Sequence, residues 1–286
     1  MNIAFQTGTL VTAGYGPKDY LKVASDLKFK YIEFWIDRAN LWPYSTTREE
    51  RKQMIDLISN YDLKVVSTCP VFFTAEKWQK FEFEFNLAHP EEGQRKKAVK
   101  FVKDAIDLTS ELGGKLMLTL PGKVEQPSLM ESKVSYRKYF EQSVKSLKEC
   151  ARYAENAGII LGVENAVVGN FADLPEELYR LVREVGSEHV KAYLDVANAN
   201  VYHSPIEYIR VLKDVLADLI HITDNDGSYP NHLPIGMGNI DFKGVLKELK
   251  SLGWDGYLVP ELFYDKDPIG GIKQSKEKLL GLIQSI

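Results

Sequence analysis

Short apolar segments and longer amphipathic ones alternate along this chain from end to end, and that rhythm restricts its fold more than any other feature. NIAF at 2–5 has strand character, and PKDYLKVASDLK at 17–28 opens with a proline suited to a first helical turn. KYIEFW at 30–35 is rich in aromatic and β-branched residues. STTREERKQMIDLISNY at 45–61 then offers a Ser/Thr cap, early glutamates and apolar positions Met54, Ile55, Leu57 and Ile58. The pairing continues through LKVVST at 63–68, a long helix over 90–112 ended by Gly113 and Gly114, KLMLTL at 115–120, and a helix over 136–156. Beyond Gly158 it becomes regular: IILGVEN, a helix over 174–185, VKAYLDVAN, a helix over 204–216, DLIHITDND, DFKGVLKELKSLG, DGYLVPEL and a terminal helix.

Strict alternation calls for a parallel sheet, because each crossover helix must cover a face of it. About eight strands and eight helices in 286 residues predict an α/β protein in which 1–286 forms a single (β/α)₈ TIM barrel. An open doubly wound sheet would carry a Gly-rich phosphate turn after its first strand, and QTGTLVTAGYG at 6–16 does not match GxGxxG. Neither a Walker A motif nor GxSxG occurs, and no linker, low-complexity tract or internal repeat divides the chain.

Bulk properties narrow the function classes. A hydrophobic content of 44% with 27% charged residues predicts a large core rather than disorder. The 40 acidic and 36 basic residues give a formal charge of −4, which offers no field to a nucleic-acid backbone. RKKAVKFVK at 95–103 reads as a solvated helix face. The N-terminus has no basic leader and no apolar run reaches the roughly 18 residues of a membrane span, so a soluble cytoplasmic protein is expected. Two cysteines, Cys69 and Cys150, match no metal-ligand spacing and fit a reducing compartment.

In α/β barrels the chemistry gathers where strands end. Strand five ends in Glu164, strand six in Asp195, strand seven carries His221 and strand eight ends in Glu261, at intervals of 31, 26 and 40 residues. A carboxylate closing an apolar strand such as IILGVE is costly to desolvate unless it meets a cation or donors. Singly, each has a structural reading: Asp195 as a helix cap, His221 as a hydrogen-bonded core histidine, the glutamates as partners of lysines. Jointly, four successive strand ends bearing ligand-type side chains predict one divalent metal ion held by Glu164, Asp195, His221 and Glu261. Three carboxylates and an imidazole suit Mn²⁺ best, with Mg²⁺, Co²⁺ or Zn²⁺ acceptable.

Across nearly the whole chain, VEN at 163–165, YLDVAN at 193–198, HITDNDG at 221–227, HLPIGMGNIDF at 232–242 and VPEL at 259–262 resemble the xylose isomerase-like barrel superfamily. The likeness is to the sugar isomerase and epimerase branch, with tagatose and psicose epimerases, hydroxypyruvate isomerases and inosose dehydratases. It implies that Glu164 and Glu261 form a catalytic acid/base pair on opposite faces of a sugar, working through a metal-stabilised enediolate. A homo-oligomer, dimer or tetramer, is implied by resemblance alone. Two positions depart from the epimerases: Asn198 stands where they have a histidine, and HITDNDGSYPN lacks an arginine found after their strand-seven histidine.

Around the four ligands, Glu33, Trp35, Lys123, Asn165, Asn198 and His232 are candidates for hydrogen bonding or stacking on a polyol. Their structural alternatives are a salt bridge inside the barrel for Glu33, core packing for Trp35 and solvation for Lys123. His89 and His203 match no motif and are expected at the surface. The long aromatic stretch from Val71 to Phe85 exceeds an ordinary connection, and is expected to cover the site or to pack between subunits.

The expected function is therefore a metal-dependent isomerase or epimerase acting on an unphosphorylated sugar, keto-sugar or polyol. An inosose-type dehydratase on the same site competes with it, as does a noncatalytic sugar-binding barrel. IGMG and His232 also resemble the apurinic endonuclease relatives, but LTLPG, Asn198 and Pro230 stand where those enzymes need further ligands.

Overall fold

The computed structural model describes residues 1–73, 83–124, 134–166 and 171–286. Its elements in chain order are β1 (Asn2–Gln6), α1 (Gly8–Thr12), α2 (Pro17–Asp26), β2 (Tyr31–Ile36), α3 (Arg48–Asn60), β3 (Lys64–Pro70), α4 (Glu92–Glu111), β4 (Leu116–Thr119) and α5 (Tyr136–Ala157). There follow β5 (Ile160–Glu164), α6 (Pro175–Val185), β6 (Val190–Tyr193), α7 (Val196–Tyr202), α8 (Pro205–Leu212), β7 (Leu219–His221), α9 (Phe242–Ser251), β8 (Tyr257–Val259) and α10 (Pro268–Gln284).

Local chemistry explains where the helices begin and end. Thr47 and Glu50 form a reciprocal capping box at the start of α3, satisfying two backbone donors at once. Ser135 caps α5, and Gly158 closes it in the left-handed conformation. Pro175 opens α6 and Gly186 ends it in the same way.

All strand pairs are parallel, and eight strands lie in the order β6-β5-β4-β3-β2-β1-β8-β7. The remaining seam, between β6 and β7, is bridged where Ala192 N–H donates to Val215 O at 2.7 Å and His221 N–H donates to Leu194 O at 3.0 Å. This is the expected (β/α)₈ barrel. Its interior is filled by side chains in layers: at Gly162 a Cβ would come within 2.6 Å of the Tyr193 ring, which crosses the barrel there. At Gly8 a Cβ would sit 2.2 Å from the indole of Trp35, so the turn after β1 is shaped to seat that ring.

Three sequence expectations are revised. VKAYLDVAN is not one strand: β6 stops at Tyr193, and α7 begins at Val196 with Asp195 as its cap. The helix expected over 204–216 ends at Leu212. Arg95 does not belong to a solvated face. It is fully buried, donating to Glu92 and Glu149, each at 2.8 Å, and to Ser146 at 3.1 Å, and so ties α4 to α5.

Residues 74–82 of the aromatic stretch lie outside the described residues. On its flanks, Phe85 stacks on Phe101 of α4 at 4.2 Å between ring centroids and Phe72 meets the same ring edge-on at 5.3 Å. These two rings pack the described flanks against the core. Among the described residues no helix is long and apolar enough to cross a membrane.

Candidate metal centre

Four ligand-type side chains converge at the C-terminal rim of the barrel. Glu164 is the last residue of β5 and His221 the last of β7, while Asp195 and Glu261 each lie two residues beyond the ends of β6 and β8. All four are buried, and one ligand atom from each lies within 4.8 Å of every other. His221 Nδ1 is the hub, at 3.1 Å from Glu164 Oε1, 3.3 Å from Glu261 Oε2 and 3.6 Å from Asp195 Oδ2.

Asp195 shows why this set fits a cation. Its Oδ1 accepts the Asn198 N–H at 2.7 Å and so caps α7, satisfying one backbone donor. Its Oδ2 is buried with no hydrogen-bond partner among the described residues. A bare, buried carboxylate oxygen pointing at two further carboxylates is expensive unless a positive charge meets it. The cap expected from the sequence is thus made by one oxygen, and the other is left facing the cluster.

The electrostatics agree. Burial pushes the Glu164 carboxyl up from its ordinary value, against the lowering pull of His221. Glu261 is raised in the same way, burial again leading. For His221 burial opposes the charged form, but Glu261 and Glu33, with hydrogen bonds to Glu164 and Glu33, outweigh it and hold the imidazolium well above the usual histidine range. Without a cation the cluster keeps protons to limit its charge, and a divalent ion would displace them.

Several surrounding groups hold these side chains in place. Gln6 Nε2 donates to Glu261 Oε1 at 2.8 Å, and Gln6 Oε1 in turn accepts the Thr9 N–H at 2.9 Å. Asn165 brackets the backbone of Asp195, accepting its N–H at 2.7 Å and donating to its carbonyl at 3.0 Å. His232 Nδ1 donates to Glu261 O at 3.0 Å, and its Nε2 lies 3.3 Å from the Asn198 side chain at the rim of the cluster. Burial lowers the His232 pKa.

Of the other sequence candidates, Glu33 is fully buried and directed at His221. Trp35 is buried with its ring 6.4 Å from that of Phe263. The backbone of Lys123 is engaged at both ends by the Asn86 amide at 2.9 and 3.0 Å. His203 is exposed and His89 partly buried.

Sequence reasoning missed Gln6, Ser67, Tyr193 and Cys69. The Cys69 thiol, pushed up by burial and then by Glu33, Glu261 and Glu164, belongs to this neighbourhood. Gln6 and Cys69 sit at or near the ends of β1 and β3, so applying the strand-end rule to the first half of the barrel would have found them. Asp224 was missed too. It accepts from Gly236 N–H at 2.7 Å and Ile240 N–H at 3.3 Å, and a Cβ on Gly238 would lie 2.4 Å from its oxygen, which accounts for both glycine and aspartate in this turn.

Comparison with known proteins gives a concordant picture. The profile of the Xylose isomerase-like TIM barrel family matches residues 21–282. An uncharacterized protein of Methanocaldococcus jannaschii, MJ1311, is 30% identical over 234 residues, covering 80% of this chain and 74% of that one. The fructoselysine 3-epimerase of Shigella flexneri is 23% identical over 268 residues, covering 91% of each chain. Among solved structures, a D-tagatose 3-epimerase-like protein superposes with a TM-score of 0.81 at 23% identity, over 100% of this chain and 99% of the other.

Proposed function

We propose that this chain, which belongs to the xylose isomerase-like TIM barrel family, is a divalent-metal-dependent sugar isomerase or epimerase in which Glu164 and Glu261 move the substrate proton. One observation carries this reading: two buried glutamates, both made more basic by burial, approach a single histidine from β5 and β8 at 3.1 and 3.3 Å. The epimerase names among its relatives support the reaction class.

Glu164, Asp195, His221 and Glu261 would hold the ion, and their hard donor set supports Mn²⁺, with Mg²⁺, Co²⁺ or Zn²⁺ as alternatives. When bound, the cation supplies Lewis acidity at the substrate carbonyl and offsets the negative charge that enolisation places there. The glutamates do the proton transfer: one removes the proton beside the carbonyl and the other returns one. Gln6 and the His232 contact fix the Glu261 segment, and the Asn165 bracket fixes Asp195, so the pair keeps its spacing during transfer.

Substrate recognition is assigned to the rim, where the Asn198 amide and His232 imidazole face each other and can share hydroxyl groups, with Trp35 and Asn165 as further candidates. Three carboxylates around one ion, with Glu33 beyond His221, leave the site negative, which favours an uncharged polyol over a phosphate ester. Cys69 and Cys150, both buried and unpaired, support a cytoplasmic setting, and a homo-oligomer is proposed by family likeness.

The test is deuterium incorporation from D₂O into keto-sugars and inososes by metal-loaded protein. Glu164→Gln and Glu261→Gln should each lower exchange by roughly 10²–10⁴-fold. A recovered isomer conserves mass, whereas loss of water would assign an inosose-type dehydratase. Tight metal binding with no exchange on any sugar tried would refute the enzymatic reading.

A further inference from the structure

Glu33 is fully buried and meets the four-residue cluster at His221. Its Oε1 accepts from His221 Nε2 at 2.6 Å, the ring nitrogen that faces away from the carboxylate cluster. Its Oε2 accepts two further hydrogen bonds, from Ser67 Oγ at 2.7 Å and from Tyr193 OH at 2.9 Å. All four residues are fully buried. A carboxylate with three donors on its two oxygens is held in one orientation, by side chains from β3, β6 and β7.

The backbone is arranged for this contact. The β2–β3 register shifts between Ile32 and Glu33, so that Ile32 pairs with Val65 but Glu33 pairs with Ser67. Such a bulge re-aims the side chains that follow it, and here it sets the Ser67 hydroxyl opposite Glu33. Tyr193 reaches Glu33 across the space left by Gly162, and on the way its ring meets that of His221 edge-on at 4.8 Å. Both a hydrogen bond and a ring contact therefore fix the imidazole plane.

We infer that Glu33 is a positioning residue for the metal centre: it fixes His221 with Nε2–H directed at its own carboxylate, leaving Nδ1 to face Glu164, Asp195 and Glu261. The inference rests on the reading of those four residues as metal ligands. A ring with its Nε2 proton committed to Glu33 has its lone pair on Nδ1, and the adjacent negative charge makes that lone pair a better donor. Ser67 and Tyr193 hold the carboxylate that holds the ring.

The experiment uses the full chain, stripped with chelator and titrated with Co²⁺, reading both the dissociation constant and the visible d–d absorption. Glu33→Gln, nearly isosteric, should weaken Co²⁺ binding by roughly 10–100-fold and shift the absorption band, with far-UV circular dichroism unchanged. Tyr193→Phe and Ser67→Ala leave the carboxylate in place and should produce smaller changes in the same two readouts. They decide the matter if Glu33→Gln does not fold.

Wild-type affinity and spectrum in all three variants would overturn the inference while leaving the metal site intact, as would a Glu33→Gln effect confined to KM. Failure of the wild-type chain itself to bind Co²⁺ would overturn the metal reading and this inference with it.

Discussion

Replacing Asp195 separates the helix cap that one oxygen makes from the ligand role proposed for the other. Asp195→Asn keeps an acceptor for the Asn198 N–H, so α7 stays capped, but places a neutral amide where the unpartnered Oδ2 stands. Asp195→Ala removes both. Loss of a cap costs about 1 kcal/mol, which for a chain of this size lowers Tm by roughly 2–4 °C. With chelator present, the alanine variant should therefore melt that far below the asparagine variant, and the asparagine variant should melt at or above wild type.

Added metal reverses the ranking. At a concentration 100 times its Kd, an ion stabilises the wild-type fold by about 2.7 kcal/mol. If the lost ligand weakens binding by about 100-fold, the same concentration stabilises Asp195→Asn by only about 0.4 kcal/mol. The assay is a set of melts for the three proteins in EDTA and in excess Mn²⁺. A wild-type metal shift in Asp195→Asn would show that Oδ2 is not a ligand. An Asp195→Asn that melts with Asp195→Ala in EDTA would refute the capping account.

Three further outcomes are expected. Because carboxylates hold the His221 proton well above the histidine range, a cation must displace it, so Mn²⁺ affinity should weaken as pH falls. Calorimetry in two buffers of different ionisation enthalpy should detect the released proton, and equal enthalpies would contradict this. Asp173 is pushed up from 3.8 to about 7, chiefly by burial. The fold therefore binds its proton more tightly than the unfolded chain does, and this contribution to stability is full below about pH 4 and lost as pH rises towards 7. Urea midpoints should fall more over that range for wild type than for Asp173→Asn, and parallel falls would exclude it. Gly8→Ala would drive a Cβ to 2.2 Å from the Trp35 indole, destabilising by about 1–3 kcal/mol, and an unchanged denaturant midpoint would count against that packing.

The barrel was legible in the sequence because its determinants are local and repeated. Periods of two and 3.6 residues, caps such as Thr47 with Glu50 and stops such as Gly158 and Gly186 each act within a few residues. Parallel pairing then follows from the need to cover both faces of each strand. The four ligand-type residues were legible for the same reason: each sits at or just beyond a strand end, and the closed barrel brings strand ends together.

Tertiary structure decided how each polar group is used. Asp195 lies next to a strand in sequence, but only the turn into α7 divides its oxygens between a helix cap and the open cluster. Arg95 sits among lysines on a helix, yet Glu149 and Ser146 of a neighbouring helix draw it inside. Glu33 could have faced a substrate from its strand position. A one-residue bulge and a tyrosine 160 residues away direct it to His221 instead. Such choices depend on partners distant in the chain, for which spacing along one sequence carries no signal, and they become physical facts only when the barrel closes.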